Sequence, residues 1–259
     1  MPPLSRLARA LRHRGLPLST RAGLLRLEAA RRVRPRAAYP LRLGGTTVYL
    51  SQDDFEIDWA SLAFVAVDEA YAGDYRGAVV VDIGAHKGYY GAYALARGAS
   101  AVVSYEPETA NFALLERAAR RLPAGEWQTR RGAIGAQAGE AELHVMRASW
   151  GHALHPPEAF TQYETGVERV RVEGLAEALS AAADVARGAR VIVKVNIEGE
   201  ECPTILGTDA SAWARVDDVY VETHPWASCG ADELAAYLAV AGLARTESAH
   251  SAVLRLTRG

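Results

Sequence analysis

The order of apolar and polar positions changes near residue 78. Beyond it, short valine-rich runs alternate with stretches in which apolar residues recur every three or four positions. The runs are typical of buried strands, and the stretches of helices that cover a sheet. The predicted strands are Ala78–Ile83, Ala101–Glu106, Trp127–Ile134, Arg190–Ile197 and Asp218–Thr223. The predicted helices are Tyr89–Arg97, Thr109–Leu122, Leu175–Ala183 and Asp232–Ala241.

This alternation predicts an α/β fold with a doubly wound, mostly parallel sheet. Residues 244–259 form two extended segments with no helix between them, so we expect an antiparallel hairpin closing one edge of the sheet. Residues 141–171 break the alternation and include Trp150, His152 and His155. We expect this stretch to be an insertion or lid over the site.

Residues 1–72 are expected to form a basic extension that packs on a core domain of residues 73–259. Within the extension, Thr46–Ser51 is a predicted strand and Asp58–Ala72 a predicted helix. Residues 1–36 hold ten arginines and one acid, Glu28, a charge of about +9, which leaves about −11 on the remainder.

Such an arginine-rich arm could bind nucleic acid or an anionic membrane. We favour two short helices lying on the acidic body, because no aromatic side chains alternate with the arginines as a base-stacking surface requires. Their apolar faces would consist of leucines: Leu4, Leu7 and Leu11 in one helix, and Leu24, Leu25 and Leu27 in the other.

The composition is that of a globular protein, with 49% hydrophobic and 23% charged residues in a chain of 259. It is too apolar for a disordered chain. No apolar run approaches the ~18 residues that cross a bilayer, and the N-terminus lacks the apolar stretch of a secretory signal. Cys202 and Cys229 are expected to be ordinary thiols, which fits a reducing compartment, so a cytoplasmic protein is expected.

The strongest local motif is DIGAHKG, in which a buried strand ends at Asp82 and a helix begins near Gly88. Glycines at such a turn let the backbone approach a ligand, and the helix start offers free N–H groups. The glycine spacing differs from G-x-G-x-x-G, and an acid precedes the first glycine, Gly84. An acid there would repel pyrophosphate but suits a cationic ligand, which favours S-adenosylmethionine over NAD. A plain strand-to-helix turn is the alternative.

A second signal is Glu106, which ends the next strand and is followed by Pro107. An acid about twenty residues beyond a nucleotide-binding turn commonly accepts both ribose hydroxyls. Asn111, one turn into the following helix, could orient the same ribose or lie on the surface.

A third signal is KVNIEGEE, with Lys194, Asn196, Glu198 and Glu200 at the end of the fourth predicted strand. Charged groups near a core cost several kcal/mol unless they are paired. Ligands of such folds bind beyond the carboxyl ends of the strands, so this segment indicates a site. The alternative is that Lys194 and Glu198, or Glu200, neutralise each other.

The segments DIGAHKG, YEPETANFALLE, GAIG, KVNIEGEE and VYVETHP together resemble the FkbM family of S-adenosylmethionine-dependent methyltransferases, from about Val79 to His224. The resemblance implies the class I methyltransferase fold, with a seven-stranded sheet whose last strand is antiparallel. It also implies methyl transfer to oxygen on sugars, glycans, lipids or natural products.

The resemblance further implies where the cofactor lies. Asp82, Gly84 and Gly88 would line its methionine end, Glu106 its ribose and the Gly132–Ile134 turn its adenine. The full candidate cofactor set is Asp82, Gly84, Ala85, His86, Gly88, Glu106, Pro107, Asn111, Ala133 and Asn196.

Two positions depart from the family pattern. The family usually has asparagine where this chain has His86, and aspartate where it has Asn196. An amide cannot serve as a base and is a weaker metal ligand, so catalysis would rest on another residue or be reduced.

A hydroxyl acceptor benefits from a base that takes its proton, and histidine has a pKa near neutrality. Glu222 and His224 share one strand face by their i, i+2 spacing, which suits an orienting carboxylate and a base. His224 could instead cap the turn before Pro225, and His152 could lie in an exposed loop. The candidate catalytic set is His224, Glu222, Glu198, His152 and Lys194.

The sequence thus predicts an S-adenosylmethionine-dependent O-methyltransferase acting on a small molecule, sugar or natural product. The alternatives are an NAD(P)-dependent oxidoreductase and a non-catalytic methyltransferase-like module that binds partners through its arginine-rich arm. We expect no nucleic-acid partner, because no aromatic follows a proline-rich turn to stack a flipped base. Oxygens of Asn196, Glu198 and Glu222 could converge on a divalent metal, but only their types support one, and no metal is expected.

Overall fold

A computed structural model describes residues 18–33 and 37–259. The helices are α1 (Leu18–Val33), α2 (Phe55–Ala66), α3 (Tyr89–Ala96), α4 (Thr109–Ala119), α5 (Leu175–Ala186), α6 (Glu201–Leu206) and α7 (Ala231–Val240). The first strands are β1 (Ala38–Leu43), β2 (Thr46–Ser51), β3 (Val79–Ile83), β4 (Ala101–Glu106), β5 (Trp127–Arg131) and β6 (Ala133–Gly135). The remaining strands are β7 (Gly139–Met146), β8 (Glu164–Gly174), β9 (Val191–Val195), β10 (Asp218–Glu222), β11 (Leu243–Thr246) and β12 (Val253–Arg258).

The main sheet has seven strands in the order β11-β12-β10-β9-β3-β4-β5. Strands β5, β4, β3, β9 and β10 pair in parallel. The C-terminal strand β12 inserts antiparallel between β10 and β11, which forms the expected hairpin at one edge. The predicted α/β fold with a mostly parallel sheet is therefore confirmed.

Two apolar cores lie on the two faces of this sheet, because successive side chains of a strand point to opposite sides. Val80 of β3 packs with α2, α3 and α4 on one face. Val79 and Val81 pack with α5 and α7 on the other. Burial on both faces explains why β3, β4 and β9 are rich in valine.

The predicted strand Trp127–Ile134 is wrong as a single element. It divides at Gly132, where β5 ends in the main sheet and β6 joins a second sheet of order β6-β8-β7. The Gly132 N–H donates to the carbonyl of Glu106 at 3.2 Å, which turns the chain away from the main sheet. The stretch 141–171 thus contributes two strands of this second sheet instead of an irregular loop alone.

Helix α1 and the β1–β2 hairpin share one apolar core with α2, α3 and α4. Leu24 and Leu27 of α1 are buried, whereas Leu25 is 50% exposed, so its predicted place on the apolar face is wrong. The helix predicted from Leu4, Leu7 and Leu11 lies outside the described residues.

The helix expected at Asp58–Ala72 begins and ends earlier, at Phe55–Ala66. The N–H groups of Val67 and Asp68 both donate to the carbonyl of Ala63. Glu69 then takes a left-handed φ of 51°, which ends the helical path.

The two cysteines form a disulfide, Cys202–Cys229, which overturns the expectation of ordinary thiols. The short helix α6 carries one sulfur to the loop before α7, a pairing over 27 residues that spacing alone could not reveal. Disulfides persist in oxidising surroundings, so the cysteines no longer support a reducing compartment. No helix within residues 18–33 and 37–259 is long and apolar enough to cross a membrane.

Reduction of this disulfide is expected to destabilise the fold by about 2–4 kcal/mol, since the cross-link restricts the unfolded chain. Dithiothreitol should lower the midpoint of thermal unfolding by about 5–10 °C. A Cys202→Ser/Cys229→Ser variant should already show the lower midpoint and not respond to the reductant. Two free thiols in the unreduced, denatured protein would contradict the pairing.

Candidate functional site

A cavity of about 440 Å³ opens beyond the carboxyl ends of β3, β4, β9 and β10. This is the edge at which doubly wound sheets bind ligands, and the volume is in the usual range for small-molecule sites. Most of the predicted site residues line it: Gly84, Ala85, His86, Glu106, Pro107, Asn111, Ala133, His152, Lys194, Asn196, Glu198 and Glu222.

The turn between β3 and α3 needs glycine at two positions. Gly84 has a φ of +72°, and a Cβ there would lie 1.7 Å from the carbonyl oxygen of Asn196. Gly88 has a φ of +87° and packs against the Trp127 ring. The turn therefore lies directly against β9, and this contact forms one wall of the cavity.

His86 is also left-handed, with a φ of 52°. Its Nε2 lies 3.1 Å from the hydroxyl of Ser149. Burial, together with the nearby charge of Lys87, lowers the pKa of His86 well below its usual range. His86 is thus a neutral hydrogen-bonding residue where the resemblance leads one to expect asparagine.

Glu106 holds the same turn from the neighbouring strand. Its carboxylate accepts the N–H of His86 at 2.7 Å and the N–H of Glu108 at 3.0 Å. Burial raises the pKa of Glu106 to about 7, although these N–H groups favour the ionised form. Each carboxylate oxygen keeps a lone pair for a ligand hydroxyl.

Asp82 lies below the cavity, not in it. It is fully buried, and its Oδ1 accepts a hydrogen bond from the Lys194 ammonium at 3.1 Å. The other Lys194 protons go to the carbonyls of Ile83 and Gly84 at 3.2 and 2.6 Å. The alternative of Lys194 pairing with Glu198 or Glu200 is therefore wrong, and Asp82 is already neutralised without a cationic ligand.

Asn196, directly after β9, and Glu222, the last residue of β10, line the cavity. The Asn196 Nδ2 donates to Glu222 Oε2 at 2.7 Å, and the Tyr71 hydroxyl donates to the same oxygen at 2.7 Å. The Asn196 Oδ1 is buried and accepts no hydrogen bond. A buried acceptor without a partner costs about 1–3 kcal/mol, and Asn196 lines the cavity, so its Oδ1 is a candidate acceptor for a ligand donor.

His224 lies between two buried carboxylates. Its Nδ1 lies 3.1 Å from Glu201 and its Nε2 3.5 Å from Glu198. These carboxylates outweigh burial and raise the pKa of His224 to about 10. The predicted Glu222–His224 partnership is therefore wrong: Glu222 bonds to Tyr71 and Asn196 instead, and a protonated imidazole is no base near neutral pH.

Glu198 lines the cavity on a strained backbone, with a φ of 55°. The pKa of Glu198 is raised by burial, and the hydrogen bond and charge of His224 offset only part of that rise. Glu201 supports this loop, because its carboxylate accepts the N–H groups of Ile197 and Gly199 at 2.8 and 3.0 Å. Glu201 was not predicted as a site residue, because nothing in its position one residue after Glu200 distinguishes it in the sequence.

The two insertion histidines differ. His152 is nearly buried, so the alternative of an exposed loop is wrong for this residue, and its Nδ1 accepts the Met146 N–H at 2.9 Å. Burial lowers the pKa of His152, so the neutral ring carries its proton on Nε2 and has no lone pair free to act as a base. His155 is 81% exposed and pairs with Glu200 at 2.7 Å.

A buried polar cluster behind the cavity was also missed. The Lys87 ammonium contacts Asp58 at 2.6 Å and the Ser149 hydroxyl at 3.1 Å. Asn111 is buried and donates to the Ser149 carbonyl at 2.9 Å, which fixes the insertion against α4. Lys87 lies inside the DIGAHKG motif, but its partners come from distant segments.

No set of three or more His, Cys, Asp or Glu side chains able to hold a metal ion occurs in the described part of the chain. Asn196, Glu198 and Glu222 line one cavity. Among the described residues, however, Asn196 and Glu222 bond to each other, Glu222 also bonds to Tyr71, and Glu198 pairs with His224.

No protein-family profile matches the chain, and no curated protein matches its sequence. Among solved structures it is similar to a methyltransferase described as FkbM from Methylobacillus flagellatus, with 16% identity, a TM-score of 0.46, and coverage of 80% of this chain and 56% of that one. It is also similar to a putative RNA methyltransferase from Pyrococcus horikoshii, with 15% identity, a TM-score of 0.39, and coverage of 79% of this chain and 83% of that one. A SAM-dependent methyltransferase from Agrobacterium tumefaciens has 9% identity and a TM-score of 0.41, with coverage of 86% of this chain and 71% of that one.

Similarities this low add nothing about substrate or chemistry. The class of fold follows from the strand order itself, in which five parallel strands are followed by an antiparallel one inserted before the edge. This is the class I methyltransferase fold, with its cavity at the carboxyl edge of the sheet.

Replacing Gly84 by alanine should destabilise the protein by about 2 kcal/mol or more, since the new Cβ would overlap the Asn196 carbonyl. Gly45→Ala is the matched control, because nothing lies within 4 Å of its Cβ position, and it should change stability by less than about 0.5 kcal/mol. Urea unfolding measures both. Equal stability of the two variants would contradict the close contact between the turn and β9.

Proposed function

We propose that the protein is an S-adenosylmethionine-dependent O-methyltransferase of the FkbM family, acting on a hydroxyl of a small molecule. The observation that carries this proposal is the meeting of Glu106, the Gly84 turn and the unpartnered Asn196 Oδ1 in one cavity. An acid able to accept ribose hydroxyls, a turn that admits a ligand closely and an acceptor for an amino group all suit a nucleoside bearing an amino acid. The motifs DIGAHKG and KVNIEGEE support the family assignment.

The residues present fit this cofactor. Glu106 would accept hydrogen bonds from the ribose hydroxyls with its remaining lone pairs, and the Asn196 Oδ1 would accept a hydrogen bond from the amino group. The backbone of residues 132–134 would border the adenine, because Gly132, Ala133 and Ile134 line the same cavity. Asp82 acts at one remove, by fixing the Lys194 ammonium under the Gly84 turn.

When bound, S-adenosylmethionine supplies a methyl group that leaves a positively charged sulfur for a nucleophilic oxygen, while the C–S bonding pair stays on sulfur. The protein then needs to orient the acceptor hydroxyl and to take its proton. Glu198 is the proposed base, because it borders the cavity and His224 favours its ionised form. His224 is a positioning residue and stays protonated.

The two departures from the family pattern are compatible with this role. Asn196 keeps the acceptor oxygen that an aspartate offers there, and Glu222 takes the amide protons that an aspartate lacks. His86 is neutral and bonds to Ser149, so it adds no charge near the cofactor. Glu198, on the loop that follows Asn196, is therefore the proposed base in place of the aspartate.

Binding of S-adenosylhomocysteine, measured by isothermal titration, tests the cofactor assignment. Glu106→Gln should weaken binding by roughly tenfold to a hundredfold, since it removes a charged hydrogen-bond acceptor. Absence of binding to the unaltered protein, or binding of NADH in its place, would contradict the proposal.

The same titration should depend on pH. Because the pKa of Glu106 is about 7 and the ionised form is the better acceptor, affinity should fall about tenfold from about pH 8 to about pH 6. The Glu106→Gln variant should lose this dependence. A pH-independent affinity in the unaltered protein would show that Glu106 does not contact the ligand.

Glu198→Gln should lower kcat by about 10²- to 10⁴-fold and leave the affinity for S-adenosylhomocysteine unchanged, as expected for a base that does not bind the cofactor. His224→Gln should raise the pKa of Glu198, so the acidic limb of the kcat–pH profile should move to higher pH. Transfer of labelled methyl to a panel of hydroxylated acceptors measures both. A Glu198→Gln variant with normal turnover would refute the assignment.

A further inference from the structure

A second cavity, of about 360 Å³, adjoins the first and is called here the aromatic cavity. Trp150, Ala153 and Glu198 line both cavities. The remaining lining residues come from α2, from the insertion and from the loop after β10: Ile57, Met146, Arg147, Ala148, Gly151, Pro156, Pro157, Phe160, Tyr163 and Trp226.

The walls of this cavity hold large apolar side chains that are exposed to solvent. Trp150 is 48% exposed, Phe160 37% and Tyr163 52%. Trp226 is half-buried and meets Phe160 edge to face, with ring centroids 5.1 Å apart. Exposed apolar groups gathered around one hollow mark a binding surface, because scattered single ones would not form a continuous patch.

The lining chemistry restricts what can bind. Among the described residues of this wall, the charged groups are Arg147 and Glu198, and Glu198 lies where the two cavities meet. These apolar side chains offer few hydrogen-bond partners to the several hydroxyls of a sugar. A flat apolar ring pairs well with aromatic edges and faces, and needs only one polar contact for its hydroxyl.

We propose that the aromatic cavity holds the ring of a hydroxylated aromatic acceptor, with its hydroxyl directed to Glu198. This rests on the proposed function, and it narrows the acceptor from any hydroxyl compound to a planar, largely apolar phenol. The volume of the aromatic cavity, about 360 Å³, lies at the lower end of the range for small-molecule sites, roughly 300–1,000 Å³. A sugar-bearing acceptor is disfavoured by the same walls.

Isothermal titration with three probes tests this proposal: 2-naphthol, n-decanol and methyl β-glucopyranoside, each added to the protein alone and to its S-adenosylhomocysteine complex. We expect 2-naphthol to bind, the glucoside not to bind, and n-decanol to bind more weakly than 2-naphthol. Trp150→Ala and Phe160→Ala should each weaken 2-naphthol binding about tenfold or more. Val240→Ala, at an exposed position on α7, is the matched control and should change nothing.

The outcomes separate this inference from the proposed function. If S-adenosylhomocysteine binds and the glucoside binds more tightly than 2-naphthol, the aromatic acceptor is overturned. The cofactor assignment is then still supported. If n-decanol binds more tightly than 2-naphthol, the cavity prefers an aliphatic chain, and the aromatic acceptor is also overturned. Trp150-dependent binding of 2-naphthol without S-adenosylhomocysteine binding supports the cavity and overturns the proposed function. A concentration-dependent dimer abolished by Trp150→Ala would identify the surface as a contact between copies and overturn the acceptor site.

Discussion

The buried ion pair between Lys194 and Asp82 determines the shape of the site. The two residues are register partners on adjacent parallel strands, β9 and β3. Burying two charges costs several kcal/mol per ion unless their hydrogen bonds are complete. Here the three ammonium protons reach Asp82, the Ile83 carbonyl and the Gly84 carbonyl, so the penalty is offset and the turn after β3 is tied to β9.

The rest of the site follows from that connection. With the turn held down, the Gly84 Cα approaches the Asn196 carbonyl, and the His86 N–H reaches Glu106 on the other neighbouring strand. A ligand at this edge therefore meets carboxylate and amide acceptors instead of free ammonium groups. The protonated His224, held between Glu198 and Glu201, supplies a compensating positive charge beside the proposed base.

The main sheet could be predicted because its central strands are short, valine-rich runs in the sequence. Ala101–Glu106 is buried along its whole length and begins with three apolar residues, and the structure gives that strand the same bounds. The second sheet was not predicted, because most residues of β7 and β8 are exposed or half-buried and the two strands contain no continuous apolar run. The split at Gly132 depends on a bond to the Glu106 carbonyl, which lies 26 residues earlier in the chain.

The candidate site divides in the same way. The residues that surround the cavity could be predicted, because strand ends in a doubly wound sheet converge whatever their partners are. Which group pairs with which could not: Asp82 has Lys194 as its partner, His224 has Glu201, and Cys202 has Cys229. Each pairing joins segments far apart in sequence, so residue types and spacing leave it open.

The most direct test of this account is a crystal structure of the protein with S-adenosylhomocysteine. The account predicts density for the ligand at the carboxyl edge of β3, β4 and β9, with the ribose on Glu106, the amino group on the Asn196 Oδ1, and the Lys194–Asp82 pair intact. Density elsewhere, or an Asp82 carboxylate released from Lys194 to bind the ligand directly, would contradict it.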